Sequence, residues 1–171
     1  MIFTPEAIIF VGIQASGKSE FYKRNFADTH VRINLDMFKT RNRERILLEA
    51  CIETKQSFVV DNTNPTPDSR ARYIRMAEKG GFHIIGYFFQ TSVVDAVRRN
   101  NSRAGKAKVP NAAIVATETK TIRPLLSEGF HETYFVTITE DEGFHVEKYN
   151  EDIHPYNDEC FPNLGRNCNE I

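Results

Sequence analysis

The sequence predicts an α/β fold: a mostly parallel, five-stranded sheet flanked by helices. Two observations carry that expectation. Apolar runs of strand length alternate with stretches of helical periodicity, the order that βαβ crossovers produce. The first apolar run ends in Gly12-Ile13-Gln14-Ala15-Ser16-Gly17-Lys18-Ser19, which opens directly into a helical pattern. At 171 residues, 40% of them hydrophobic, the chain can bury one α/β core and is too short for two enzymatic domains.

The elements follow in order. Residues 7–11 form a continuous apolar run between Pro5 and Gly12, as expected of a strand covered on both faces. Phe21, Tyr22 and Phe26 then recur at helical spacing. Further strands are predicted over residues 30–35, 57–61, 82–89 and 133–138. Residues 41–55 read as a helix with Ile46, Leu47, Ala50 and Cys51 on its apolar face. A second helix, residues 67–79, has Thr66 as its N-cap, Pro67 in its first position and Gly80 as its terminator. A third, residues 91–103, is expected to bury Val93, Val94 and Val97. The chain divides into a domain of residues 1–139 and an acidic extension, residues 140–171, poor in aliphatic side chains. That extension reads either as an edge hairpin around residues 144–149 with a loose end or as a tail ordered by a partner.

Charge is nearly balanced, at a formal net of -1, but unevenly distributed. Between Asp68 and Pro110 nine cations face three carboxylates, whereas from Glu140 onward nine carboxylates face two cations. The balance argues against wholesale wrapping of nucleic acid and leaves room for a local basic groove. Three irregularly spaced cysteines make no disulfide framework. With no basic leader and no apolar run near membrane-spanning length, the expected setting is the cytoplasm, with no membrane contact.

The glycine-rich segment carries the chemistry. Gly12, Ala15, Ser16, Gly17, Lys18 and Ser19 have the spacing of a loop that turns backbone N–H groups onto nucleotide phosphates, with Lys18 reaching the β/γ-phosphates and the Ser19 hydroxyl available to Mg²⁺. ATP or GTP with Mg²⁺ is the implied ligand, and no Asn-Lys-x-Asp guanine-reading motif is present. Ligands of open α/β sheets sit beyond the carboxyl ends of the strands, where Asp36 and Asp61 stand. Asp61 suits a Mg²⁺-bound water or a brace for the loop, against a turn-capping role in Asp61-Asn62-Thr63-Asn64-Pro65. Asp36 suits a general base toward an acceptor hydroxyl, against an N-cap role for the next helix. Arg99 and Arg103, four residues apart beside the small, basic Ala104-Gly105-Lys106-Ala107-Lys108, could neutralise transferred phosphoryl charge, or simply form a solvated basic face.

These residues resemble the kinase module of the 5'-hydroxyl polynucleotide kinases, within the P-loop NTPases. The resemblance rests on the phosphate loop, Ile33-Asn34-Leu35-Asp36, Val60-Asp61-Asn62-Thr63-Asn64-Pro65 running into Ser69-Arg70-Ala71-Arg72-Tyr73, Arg99-Asn100-Asn101-Ser102-Arg103, and Ser127-Glu128-Gly129-Phe130. It covers about the first 135 residues. By that resemblance the chain would transfer the γ-phosphoryl of ATP to a hydroxyl, most readily the 5'-OH of a single-stranded nucleic-acid end. Asp36 would be the base, Lys18 and Ser19 the phosphate and Mg²⁺ contacts, Arg103 with Arg99 the lid arginines, and Lys39 a contact to the acceptor's phosphate. Leu35 stands where the family often has arginine, and Lys39 offers a point charge where a planar guanidinium would bind bidentately. A small-molecule alcohol as acceptor and a non-transferring ATP-binding regulator are the alternative readings. No Asp-x-Asp-x-Thr phosphatase signature occurs.

Overall fold

The computed structural model describes residues 4–149. Six strands form one sheet in the order β2-β3-β1-β4-β5-β6. They are β1 (Glu6–Val11), β2 (Val31–Ile33), β3 (Phe58–Val60), β4 (His83–Phe89), β5 (Glu132–Ile138) and β6 (Phe144–Lys148). The first five pair in parallel, and β6 adds antiparallel to β5. The sheet therefore has six strands where five were expected. The added strand is the hairpin alternative, and the boundary placed at residue 139 falls inside that hairpin. Phe144 draws it in, packing 5.1 Å from the Phe21 ring. Beyond Tyr149 the acidic extension lies outside the described residues.

Helices α1 (Lys18–Asn25), α2 (Leu35–Phe38), α3 (Arg41–Thr54), α4 (Pro67–Lys79), α5 (Val93–Asn101) and α6 (Asn111–Glu118) complete the fold. Strand β1 is buried on both faces because it sits between β3 and β4 with helices above and below. Ala7 and Ile9 join a core under α3 and α4 that includes Leu48, Cys51, Tyr73, Ile74 and Ala77. Ile8 and Phe10 face the opposite core, where Phe21, Phe26, Tyr87 and Phe89 surround Phe10. A third, smaller cluster joins Ile13 and Ala15 of the phosphate loop to Ala96 and Ile114 of α5 and α6.

Helix α4 starts as its sequence requires, with Thr66 and Ser69 capping each other and Pro67 in the first turn. Two helical faces differ from expectation. On α3 the buried residues are Glu44, Leu48 and Cys51, while Ile46 is 54% exposed. On α5 they are Ala96 and Asn100, while Val94 is 78% exposed. In both cases a polar side chain with fixed partners displaces an aliphatic one: Glu44 meets two arginines, and Asn100 bonds the Val109 backbone in both directions. Helices α2 and α6 were not anticipated. The first is only four residues long and begins at Leu35, the last residue of the predicted strand, and the second, Asn-Ala-Ala-Ile-Val-Ala-Thr-Glu, has almost no polar face. Among the described residues no helix is long and apolar enough to cross a membrane.

Candidate active site

A cleft of about 810 Å³ opens beyond the carboxyl ends of the parallel strands. Its walls carry the phosphate loop, Asp36, Arg41, Asp61, Arg72 and Arg103. The loop's curvature depends on two glycines in the left-handed region. Gly12 has φ 154° and a Cβ there would fall 2.9 Å from the Phe89 Cβ; Gly17 has φ 95° and caps α1. Gly12 N–H donates to the Thr63 carbonyl at 3.0 Å, tying the loop to the segment after β3.

Lys18, the first residue of α1, is buried, and its ammonium is bound by the loop itself. Nζ donates to the Gly12 carbonyl at 2.9 Å, the Ile13 carbonyl at 2.5 Å and Ser16 Oγ at 3.2 Å. Burial lowers its pKa from 10.5 to about 8, with the Asp61 charge opposing and the Arg103 charge reinforcing the shift. A polyanion in the cleft would raise that pKa again and hold the ammonium charged to higher pH.

Asp61 is 2% exposed and its carboxylate makes no local cap. Its Oδ2 accepts from Ser19 Oγ at 2.9 Å and from Arg32 Nε and Nη2 at 2.8 and 2.5 Å. Ser19 and Asp61 are hard oxygen donors, of the kind Mg²⁺ takes one or two at a time while phosphates and water complete its octahedron. Their adjacency fits that ion. The residues after Asp61 work as a brace: Asn62 Oδ1 accepts from Leu35 N–H, and Asn64 Nδ2 donates to the Phe10 carbonyl at 2.8 Å. Arg70, fully buried, donates to the Asn64 carbonyl at 2.9 Å and pairs with Glu128 through two hydrogen bonds of 2.8 and 2.6 Å.

Asp36 lies in the first turn of α2 and is exposed to the cleft. The cap of α2 is Asn34, whose side chain accepts from Met37 N–H and donates to the Asp61 carbonyl, so Asp36 has no capping duty. Lys39 does not line the cleft. It ends α2 at φ 67° and its ammonium bonds the Asp36 carbonyl. Arg41 and Arg72, neither given a role from sequence, stand on the cleft wall instead. Both pair with the buried Glu44, at 3.0 and 2.8 Å, and Tyr73 and Asn62 donate to the same carboxylate. Burial pushes the Glu44 pKa up, yet hydrogen bonds from Tyr73, Arg41 and Asn62 and the Arg72 charge hold it below the ordinary carboxylate value.

The two candidate lid arginines occupy different places. Arg103 lines the cleft, whereas Arg99 donates through Nε to the Ala15 carbonyl at 2.8 Å, and its Nη2 is buried with no hydrogen-bond partner. Gln14 donates to Thr117 Oγ1 at 3.0 Å, linking the loop to α6. Arg32, Glu44 and Gln14 were missed by sequence reasoning. For Arg32 the available signal was a charged residue inside an otherwise apolar strand, whereas Glu44, flanked by Arg43 and Arg45, carried none.

Residues 8–125 match the AAA domain family. The chain belongs to that family. A bifunctional polynucleotide phosphatase/kinase of Schizosaccharomyces pombe is 29% identical over 133 residues, which cover 73% of this chain and 32% of the relative. The chain thus spans about a third of the relative's length. Among solved structures, a gluconokinase from Sinorhizobium meliloti 1021 superposes with a TM-score of 0.54 at 19% identity, covering 80% of this chain and 84% of that one. Kti12 of Chaetomium thermophilum, in complex with ADP-AlF3, gives 0.59 at 13% identity, covering 80% and 92%. These two likenesses establish the α/β P-loop fold.

Proposed function

We propose that the chain is an ATP- and Mg²⁺-dependent phosphotransferase whose acceptor is the 5'-hydroxyl of a polynucleotide. The observation that carries the reading is the shared cleft: an exposed Asp36 faces the same space as Lys18, Ser19, Asp61 and Arg103, with Arg41 and Arg72 beside it. Lys18, released from its own carbonyls, holds the phosphates in register. Ser19 and Asp61 hold the metal, which supplies charge neutralisation across the phosphate oxygens when bound. Arg103 adds positive charge where the transferred group carries it. Asp36 orients the acceptor hydroxyl and takes its proton as the new P–O bond forms. Arg41 and Arg72 present guanidinium groups to an acceptor that carries its own phosphate, the role first expected of Lys39. The name of the yeast relative supports the choice of a polynucleotide, and the basic residues on α4, on α5 and in the segment after α5 agree with it.

The test is transfer of labelled γ-phosphate from ATP to single-stranded DNA and RNA ending in 5'-OH, with gluconate and nucleosides as rival acceptors and Asp36→Ala as control. Label on the oligonucleotide that vanishes in the variant is the expected result. Label on a small alcohol alone transfers the reading to metabolite kinases, and hydrolysis that ignores every acceptor makes the chain a nucleotide-binding regulator.

A further inference from the structure

Arg32 projects from the edge strand β2 onto the oxygens that Ser19 and Asp61 would offer a divalent cation. Its Nε and Nη2 both donate to Asp61 Oδ2, and Nη2 donates as well to Ser19 Oγ at 2.8 Å. A serine hydroxyl has one proton and two lone pairs. The Ser19 proton is already on Asp61 Oδ2, so the hydroxyl's acceptor capacity is what remains for a metal, and Arg32 takes part of it. Three donors on Asp61 Oδ2 saturate that oxygen too. A guanidinium and Mg²⁺ on the same two oxygens would bring like charges within ~4 Å, a repulsion least screened at the buried Asp61 carboxylate.

We infer that Arg32 is a resident counter-cation that competes with the nucleotide's divalent metal for the Ser19–Asp61 pair. The inference rests on the kinase reading above. An exit for the guanidinium exists: it lies 5.5 Å above the Tyr22 ring, and Tyr22 is fixed by its own bond to the His30 carbonyl at 2.8 Å. The Arg32 side chain is 23% exposed, so it can turn outward across that ring without moving β2. Its Nη1 also stands 3.7 Å from Met37 Sδ, next to Asp36, so its departure loosens a contact on the helix that carries the candidate base. The consequence is a site that holds metal-free nucleotide better, and gains less from metal, than the same loop without this arginine.

The experiment compares, by calorimetry on the full chain, the affinity for ADP in excess EDTA with that for ADP at saturating Mn²⁺. Replacing Arg32 with Gln is expected to raise the ratio of the Mn²⁺ affinity to the EDTA affinity about tenfold, the worth of one charge-assisted hydrogen bond. Arg32→Lys, which keeps the charge but loses the fork, should raise it less, and Ser19→Ala should drop it below wild type. If Arg32→Gln does not fold, Arg32→Lys decides by the same ratio. An unchanged or lowered ratio at position 32, with metal dependence still lost in Ser19→Ala, overturns the competition and leaves the kinase reading standing. A wild type that ignores Mn²⁺, or fails to bind ADP, overturns both.

Discussion

The two walls of the cleft are built in opposite ways. The phosphate wall is eight consecutive residues whose glycines and backbone carbonyls set its shape, and even its lysine is held by the loop's own atoms. The facing wall, which the proposed reading gives to the acceptor, is assembled from Asp36 on α2, Arg41 and Glu44 on α3, Asn62 after β3, and Arg72 and Tyr73 on α4. One buried carboxylate organises it. The loop draws on its own carbonyls and on separate ties to Thr63 and Thr117, whereas the facing wall draws on one shared group, Glu44.

The comparison can be broken at its functional end first. Asp36→Ala should lower phosphoryl transfer about a thousandfold while ATP affinity holds, since a positioned base contributes ~10²–10⁴ and does not contact the nucleotide. Steady-state kinetics with an isothermal ATP titration checks both halves. Next, Glu44→Gln removes a buried charge that two half-exposed arginines share and weakens the bonds from Tyr73 and Asn62, and a loss of about 2 kcal/mol in urea unfolding is expected. It should raise the acceptor KM and leave ATP binding in place; equal damage to both would mean that the walls are not independent.

Lys18 sharpens the other wall through pH. Its folded pKa, about 8, lies below the unfolded 10.5, so the unfolded chain binds more protons between those values and stability must rise with pH across that window. Integrated over the shift the gain is about 3 kcal/mol. Denaturant titrations from pH 7 to pH 10 should show the rise in the nucleotide-free protein and lose it in Lys18→Met. The window closes there, because Tyr87 and Tyr134, pushed up to about 12 by burial and by the Glu132 hydrogen bond respectively, reverse the slope above pH 10. The smallest effect is expected from Arg41→Ala. This arginine's side chain is 59% exposed, and its loss should raise KM about tenfold for acceptors carrying a phosphate and leave phosphate-free acceptors unchanged.

Legibility in the sequence follows the same division. The phosphate loop, the strand before it and the capped start of α4 could be read directly, because each depends on neighbours within a few residues. Asp61 could be nominated as well, but its partner could not: Arg32 is 29 positions away and meets it only because β2 and β3 lie side by side. Lys39 was nominated from the family resemblance and stands outside the cleft lining, since its left-handed backbone closes α2 and its ammonium bonds the Asp36 carbonyl. The exposed Val94 and Ile46 show the reverse error, where apolar periodicity was given more weight than the polar side chains that Glu44 and Asn100 bury with their partners.

By itself the sequence determined the α/β class, the nucleotide loop and the carboxylates at the strand ends, because those features are set by local backbone geometry and by apolar runs. Only the tertiary structure decided that a sixth strand adds to the sheet edge, that Arg41 and Arg72 rather than Lys39 line the cleft, and that Arg32 sits on the Ser19–Asp61 pair. Each of those depends on side chains brought together across the sheet, and a charge acquires its partner only when the fold has removed the water between them.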